Sequence, residues 1–328
     1  MRRREFLSIF GGAALASRPV AALAQGRVRR VGMLMGLGES DSQSQARLAA
    51  FRKAMADLNW KEGTNLRLEV RWGADDAAQI QAQVAEVVGL APDVIVGTVT
   101  PVMRALKQAT ETIPIVFAGL SDPVGDGIVA SLARPGGNIT GFSNFDAAMA
   151  GKWLQLLKEF SPATERVAIL YNPDTAPHSI FLPALEAAAP SIGVTLARAT
   201  VRDVAAIEST IAALGAEAGN GLAVMPDVFV SRHRALIYSL TARHRVPAVY
   251  PFRYHVIDGG LIGYGPDVVD QYRRAAAYVD LILKGTKPAD LAVQQPTQFE
   301  MAINAKTARA LGLTIPPLVL AQADEVIE

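Results

Sequence analysis

The chain has 328 residues, a formal net charge of +1 and four histidines, and 50% of its residues are hydrophobic. This length allows two domains with a large core, and the near-neutral charge argues against a nucleic-acid-binding surface. Because the chain contains no cysteine, disulfides, thiolate nucleophiles and cysteine-ligated metals are excluded.

The first residues have the features of an export signal. Residues 3–7, Arg-Arg-Glu-Phe-Leu, resemble the twin-arginine signature, and a short apolar run follows. Ala22-Leu23-Ala24 has the pattern of a cleavage site. We therefore predict a signal peptide over residues 1–24, cleaved near Ala24, and a periplasmic location. Losing its four arginines and one glutamate would change the formal charge from +1 to −2. The alternative is a membrane-anchoring helix, but the apolar run is short for a bilayer.

From Arg29 onward, short apolar runs alternate with amphipathic stretches, which favours a parallel sheet with right-handed crossovers. Strands are predicted at 29–35, 66–72, 93–97, 113–118 and 139–142, with helices at 45–59 and 79–90 and further helices opening at Thr100-Pro101 and Asp122-Pro123.

The alternation then begins again. Strands are predicted at 166–171, 194–200, 221–225, 246–250 and 259–264. Helices are predicted at 147–160, 182–192, 204–214, 232–243, 268–284 and 306–311. Extended segments are predicted at 288–295 and 298–303. Three strands of the first series match strands of the second at sequence offsets between 128 and 136 residues. This near-constant offset indicates an internal duplication rather than two unrelated α/β units.

We predict an α/β fold of two Rossmann-like (flavodoxin-like) lobes with parallel sheets, joined by a three-segment hinge. Lobe 1 would contain residues 28–142 plus 264–288, and lobe 2 would contain 143–263 plus 289–328. The ligand cleft would lie between them, since ligands of open α/β sheets bind beyond the carboxyl ends of the strands.

Polar residues beside prolines follow five predicted strand ends, where helix starts favour anions. Candidate donors to a ligand carboxylate are Thr98, Thr100, Ser121 and Asn172, and candidate acceptors from a ligand amine are Asp122 and Asp227. Arg253 is a candidate charge partner, and His178 is placed near the cleft. The candidate aromatic walls are Phe117, Tyr171, Phe229, Tyr250, Phe252, Tyr254 and Tyr264. Each has a purely structural alternative: Asp122 as a helix cap, Phe117 as core, and Arg253 as a solvated surface charge.

The sequence lacks the common catalytic motifs. It has no G-x-S-x-G elbow, H-E-x-x-H pair or P-loop, and Gly32, Gly36 and Gly38 do not have the dinucleotide-binding spacing. No two histidines have metal-site spacing. We therefore expect no cofactor, no metal and no enzymatic activity.

Four segments carry a family resemblance: 117–124 (FAGLSDPV), 134–141 (RPGGNITG), 170–173 (LYNP) and 283–290 (LKGTKPAD). In this order the chain resembles the substrate-binding proteins of a bacterial ABC-transporter family with the type I periplasmic binding fold. The tail over 303–328 resembles a twin-arginine-exported subgroup. The resemblance implies a monomeric importer component that presents a small solute, such as an amino acid, an aromatic compound or another carboxylate, to an inner-membrane ABC permease.

Some members of the wider family bind tryptophan or phenylalanine. Their second-lobe loop commonly reads Ser-Glu-Ala-Asn-Ser where this chain has 174–178 (DTAPH), and their later Asp-Asn is Asp227-Val228 here. We expect Ser121 and Asp122 to hold the ligand from the first lobe and the second lobe to set selectivity.

Three other functions compete with import. A sensor would use the same lobe closure to engage a signalling partner. A transcriptional regulator would need an N-terminal helix-turn-helix, and the predicted signal peptide occupies that place. A secreted hydrolase would need a nucleophile–base motif, which the sequence does not show.

Overall fold

The structure is a computed structural model, and it describes residues 27–73, 77–144, 149–176 and 181–328. The predicted signal peptide and His178 lie outside the described residues. Within these ranges no helix combines the length and the apolar character that a membrane span requires.

Twelve strands occur in the described residues. They are β1 (Arg29–Leu34), β2 (Leu66–Arg71), β3 (Val94–Gly97), β4 (Ile115–Leu120), β5 (Ile139–Ser143), β6 (Arg166–Tyr171), β7 (Thr195–Thr200), β8 (Asn220–Val224), β9 (Ala248–Tyr250), β10 (Ile262–Gly265), β11 (Glu300–Asn304) and β12 (Glu325–Ile327).

Twelve α-helices accompany them in the same ranges. They are α1 (Ser42–Asp57), α2 (Ala77–Gly89), α3 (Thr100–Ala109), α4 (Met149–Phe160), α5 (Phe181–Ile192), α6 (Val204–Gly215), α7 (Val228–Arg232), α8 (Arg234–Arg243), α9 (Arg253–Ile257), α10 (Val268–Leu283), α11 (Ala305–Ala310) and α12 (Pro317–Gln322).

The strands form two sheets of related order. The first sheet runs β2-β1-β3-β4-β5, and all its pairs are parallel. The second runs β7-β6-β8-β9-β10 in the same pattern and continues into β11, which is antiparallel, and β12. The predicted α/β architecture of two parallel-sheet lobes is therefore confirmed. Each sheet directs the carboxyl ends of its parallel strands toward the other lobe.

Helix α10 follows the second sheet in sequence but packs on the first lobe. Its buried residues Tyr272, Ala276 and Val279 share a core cluster with Phe51 of α1 and the strands β1, β3 and β4. At its C-terminal end Asp280 Oδ1 accepts a hydrogen bond of 2.9 Å from the Trp60 indole N–H. The return of this helix places its first turn beside the cleft.

Three segments connect the lobes. The first leaves β5 at Ser143, the second runs from Gly265 into α10, and the third lies between Gln294 and β11. The predicted boundaries at 263/264 and 288/289 fall earlier than these crossings. Tyr264 still pairs in the second sheet, and Val293 is buried in the first-lobe core, because strand pairing and burial hold each segment to its lobe for several more residues.

The expectation of a helix at Asp122-Pro123 is wrong. In the described chain the segment between β4 and β5 forms turns instead. The Asp122 carboxylate accepts a hydrogen bond of 2.7 Å from the Gly125 N–H, as in a helix cap, but Gly127 then adopts a φ of +68°. Glycine in a left-handed conformation ends the turn before a helix can propagate.

The packing of α1 on α10 and on the sheet makes a stability prediction. Phe51 is fully buried, so Phe51→Ala removes aromatic contacts and leaves a cavity. We expect the free energy of unfolding to fall by about 3–5 kcal/mol. Urea unfolding followed by circular dichroism measures this, and Leu318→Ala, at a side chain that is 78% exposed, is the control. An equal loss in both variants would contradict the assigned core.

Candidate functional site: the cleft between the lobes

A cavity with about 70 Å³ of water-accessible space lies where the carboxyl ends of the two sheets meet. Its first-lobe wall comes from α1, the ends of β3 and β4, and the first turn of α10. Its second-lobe wall comes from the loop after β6, the start of α7, and α9. Both lobes therefore contribute side chains to one concave site, as a closing receptor requires.

The turn from β3 into α3 presents an uncapped helix start to the cavity. Val99 occupies the cap position with a φ of +56° and makes no side-chain capping bond. A β-branched residue in this region is strained, and such strain concentrates at functional sites. The first-turn N–H groups of Thr100 and Val102 have no acceptor within the helix, so this wall carries partial positive charge.

The two threonines beside this turn do not offer their protons to a ligand. Thr98 Oγ1 donates to the Leu34 carbonyl at 3.1 Å, and Thr100 Oγ1 donates to Asp126 Oδ2 at 2.9 Å. Both residues line the cavity with their hydroxyl protons bonded to the protein, and their contact with a ligand carboxylate stays a prediction. Ser121, at the end of β4, lines the same wall.

Arg47 supplies a positive charge to the cavity. Its guanidinium carbon lies 5.6 Å from the ring centre of Tyr254 and 5.9 Å from that of Tyr272, so it sits between aromatic rings of the two lobes. Its Nε is buried without a hydrogen-bond partner. Within the described residues no carboxylate lies within ion-pair distance of this guanidinium. A cation in this setting favours an anionic ligand group.

Asp227 organises the second-lobe wall through hydrogen bonds that it accepts. The Asn172 N–H donates to Oδ2 at 3.0 Å, the Val230 N–H donates to Oδ1 at 3.1 Å, and the Thr175 hydroxyl lies 2.9 Å from both oxygens. Burial raises the pKa of Asp227 to about 6, although these hydrogen bonds oppose that rise. The carboxylate is thus occupied by the protein, in contrast to its predicted role as a ligand acceptor.

Aromatic side chains form the remainder of the wall. Phe252 and Tyr254 line the cavity from the second lobe, and Tyr272 lines it from α10. Behind them, the Tyr254 ring stacks on His255 at 4.2 Å, and the Tyr238 hydroxyl bonds to His255 Nδ1 at 2.7 Å. Burial lowers the pKa of His255 well below its ordinary value, so this ring is neutral near pH 7.

The lobes meet through an ion pair at the edge of the cavity. Asp41, the cap of α1, lies 2.7 Å from Arg234 of α8, and both side chains are mostly buried. Arg234 also pairs with Asp258 at 3.1 Å within its own lobe. Because this contact joins the first lobe to the second, the structure represents a closed arrangement.

The remaining predicted contacts do not belong to the cavity lining of the described residues. Asp122 caps the turn after β4, and Asn172 accepts from the Asp174 N–H at 2.9 Å. The others have partners elsewhere: Tyr171 lies in the second-lobe core, Phe229 packs on His233, Arg253 pairs with Glu325, and Tyr264 stacks on Phe299. Strand-end position alone did not distinguish side chains that face the cleft from those that face the core.

The lining residues that were not predicted include Arg47, Asn144, Gln271 and Tyr272. Arg47 had a detectable signal, since it lies one helical turn before Phe51 on the apolar face of α1, where a charge is unexpected. The others had none, because their position depends on the lobe crossings. Among the described residues no group of three His, Cys, Asp or Glu side chains has the geometry of a metal site.

Comparison with known proteins agrees with this geometry. Residues 31–327 match the family described as ABC transporter substrate binding protein. The chain belongs to this family. It is therefore a solute-binding protein and not an enzyme. Members are typically extracytoplasmic and work with membrane permeases.

Individual relatives are similar over most of their length. A tyrosine-binding protein of Clostridioides difficile is 25% identical over 263 residues, which are 80% of this chain and 75% of that protein. A conserved domain protein of Vibrio cholerae has a TM-score of 0.85 at 28% identity and covers 92% of this chain and 100% of its own. An ABC domain from Streptococcus pneumoniae in complex with L-Trp has a TM-score of 0.84 at 25% identity, with 91% and 99% covered.

The buried carboxylate of Asp227 predicts a distinct pH dependence. Its pKa of about 6 in the folded protein exceeds the ordinary value of 3.8, so the folded state takes up a proton more readily than the unfolded chain. Asp227 therefore contributes stability at low pH that is lost as the pH rises through 6. We expect the free energy of unfolding of wild type, relative to Asp227→Asn, to fall by about 2 kcal/mol between about pH 4.5 and 7.5.

Denaturant titrations across this pH range measure the difference. Asp57→Asn, at an exposed carboxylate paired with Lys53, is the control and should give a curve parallel to wild type. Parallel curves for Asp227→Asn and wild type would contradict the raised pKa.

Proposed function

We propose that this protein is the exported solute receptor of an ABC importer. It binds one small organic carboxylate between its lobes as a monomer and presents the closed complex to an inner-membrane permease. The observation that carries the proposal is the closed cavity in which Arg47 faces aromatic rings of both lobes with no carboxylate of the described chain to neutralise it.

The electrostatics of the cavity favour a carboxylate. Arg47 and the uncapped start of α3 place positive charge on the first-lobe wall, and Ser121 adds a hydroxyl. In a partly desolvated site, a charge-assisted bond to a carboxylate is stronger than a neutral hydrogen bond. The buried Asp227 carboxylate belongs to the second-lobe wall, where it accepts hydrogen bonds from N–H groups of its own lobe.

The aromatic wall favours an apolar or aromatic ligand body. Phe252, Tyr254 and Tyr272 line the cavity, and ring faces of this kind stabilise flat ligands by burial and stacking. The names of the relatives agree, since one binds tyrosine and another was solved with L-Trp. Aromatic amino acids are therefore the first ligands to test.

Ligand binding must link the lobes to drive closure. We propose that Arg47 and Ser121 hold the carboxylate from the first lobe while Tyr254 packs on the ligand from the second. Because a ligand stabilises only the state that it contacts better, contacts on both walls shift the lobes toward the closed arrangement. The Asp41–Arg234 ion pair then adds protein contacts that exist only on closure.

A thermal-shift screen of the mature protein tests solute binding. Aromatic amino acids, aliphatic amino acids, aromatic and aliphatic carboxylic acids, and sugars are the probes. A ligand at 100 times its Kd should stabilise the folded state by about 2.7 kcal/mol and raise the melting temperature by a few degrees. No shift with any class would contradict the receptor proposal.

Uptake measurements test the import role. A strain that lacks the protein should lose high-affinity uptake of the radiolabelled solute found in the screen, and expression of the full chain should restore it. Unchanged uptake with intact binding would contradict import and favour a sensor that uses the same fold.

The role proposed for Arg47 predicts a large loss of affinity on substitution. Arg47→Met keeps the length and apolar stem of the side chain but removes its charge. We expect binding of the carboxylate found in the screen to weaken about 10- to 100-fold, as measured by isothermal titration calorimetry. Arg52→Met on the same helix is the matched control, since Arg52 is exposed and paired with Glu62 at 3.2 Å. Equal affinity in Arg47→Met and wild type would show that the ligand is not held by this charge.

A further inference from the structure

The three crossings between the lobes are tied together at Ser143, on the first-lobe side. Its N–H donates to the Gln294 carbonyl at 2.9 Å, and its carbonyl accepts from Gln271 Nε2 at 3.1 Å. Ser143 ends β5 at the first crossing, Gln271 lies in the first turn of α10 after the second, and Gln294 precedes the third. Because Ser143 is buried, breaking these bonds would leave polar groups unpaired. The first-lobe ends of all three crossings therefore move as one body.

The start of the third crossing is held further by Tyr278 of α10. The Tyr278 hydroxyl donates to the Ala292 carbonyl at 2.7 Å and accepts from Gln294 Nε2 at 3.0 Å. The Tyr278 ring also packs on Phe142 of β5, with ring centres 4.7 Å apart. Bending during lobe movement is thus excluded from the chain before Gln294.

The second crossing is held equally firmly on its second-lobe side. Gly265 pairs with Glu300 across β10 and β11, and the Tyr264 carbonyl accepts 2.8 Å from the indole N–H of Trp153, a buried residue of α4. A Cβ added at Gly265 would collide with the Pro251 carbonyl oxygen, so the backbone is packed tightly here. Gly265 therefore moves with the second sheet.

A single residue, Pro266, separates this second-lobe anchor from the first lobe. The next residue, Asp267, caps α10 by accepting from the N–H groups of Val269 at 2.8 Å and Asp270 at 3.2 Å. Two residues this close in sequence have Cα atoms at most about 7 Å apart, whatever the angle between the lobes. The proline ring also fixes φ, which leaves few torsions to rotate.

The third crossing is much longer. Five residues lie between Gln294 and Glu300, so this segment spans up to about 20 Å. In the described chain residues 295–298 make no backbone hydrogen bond. The third crossing is therefore long enough to follow a lobe rotation that the second crossing restrains.

We infer that the lobes rotate about the second crossing, with Gly265-Pro266 as the pivot. Two rigid bodies joined by so short a link cannot separate at that point, so opening changes the angle between them and widens the cleft elsewhere. The torsions on either side of Pro266 absorb this change, while the bonds of Ser143 keep the first-lobe ends together.

The pivot has a consequence for ligand exchange. Val268 and Gln271, which follow the pivot directly, line the ligand cavity. Points near a rotation axis move least, so this end of the cavity stays narrow when the lobes open. A ligand therefore enters and leaves at the end of the cleft away from the first turn of α10.

Matched insertions test the pivot in the absence of any ligand. Because the chain has no cysteine, Lys53→Cys on α1 and Glu208→Cys on α6, both at exposed positions, place one nitroxide label on each lobe. Pulsed electron–electron resonance then measures the distribution of distances between the labels. Gly-Gly inserted after Pro266 adds up to about 7 Å of reach, and we expect the distribution to broaden by several ångströms. Gly-Gly inserted after Thr297, in the third crossing, should leave it as in the parent.

The comparison between the two insertions decides the question. Equal broadening by both, broadening by the Thr297 insertion alone, or no broadening by either would overturn the pivot. Each of these results would leave the proposed receptor function standing, because solute binding is measured separately in the thermal-shift screen.

A pair of proline substitutions covers the case in which an insertion prevents folding, as circular dichroism melts would show. Pro266→Gly frees one φ angle in the second crossing, and Pro296→Gly frees one in the third. We expect only Pro266→Gly to broaden the distance distribution, by less than the insertion does. The same distribution in both variants would overturn the pivot.

Discussion

The parallel pairing of strands is the constraint on which the rest of this structure depends. Parallel strands must all leave the sheet at the same edge, so each lobe gathers its strand-to-helix turns on one side. In both lobes the order is the same, and the two edges face each other. The backbone hydrogen bonds that form the sheets therefore also assemble the polar turns, the uncapped start of α3 and the Asp227 network around one cavity.

The charges of the cavity follow a simple division. Acceptors of the second lobe are occupied by the protein itself: Asp227 receives bonds from Asn172, Thr175 and Val230. The first lobe instead leaves a cation, Arg47, and the hinge leaves two amide oxygens without partners. Leaving such groups unsatisfied costs stability, and a ligand with complementary charges removes that cost on binding. The site is therefore complementary to a ligand with a negative group near Arg47 and a hydrogen-bond donor near the hinge.

Helix α10 connects this chemistry to lobe movement. It belongs to the first lobe by packing, although the chain reaches it from the second sheet. Its first turn carries Gln271 and Tyr272 into the cavity, beside the segment that leaves β5. A ligand in contact with these residues therefore also contacts the segments that must bend when the lobes open, which is the arrangement expected of a hinge-closing receptor.

Much of the architecture was determined by local sequence. The alternation of apolar runs with helical periodicity and turn residues predicted two parallel-sheet lobes, because strand and helix periods depend on near neighbours. Asp227 was correctly placed at a helix start for the same reason. The turn after Asp122 was missed, since glycine conformation overrode the capping signal.

Only the tertiary structure decided which side chains form the site. Arg47, Asn144, Gln271 and Tyr272 meet through the return of α10 and the first lobe crossing, contacts between positions far apart in the chain. Strand-end candidates such as Tyr171 and Tyr264 packed elsewhere, because the direction of a side chain at a sheet edge depends on register and on the neighbouring lobe. Local sequence thus determined the scaffold, and long-range packing determined the polarity of its cleft.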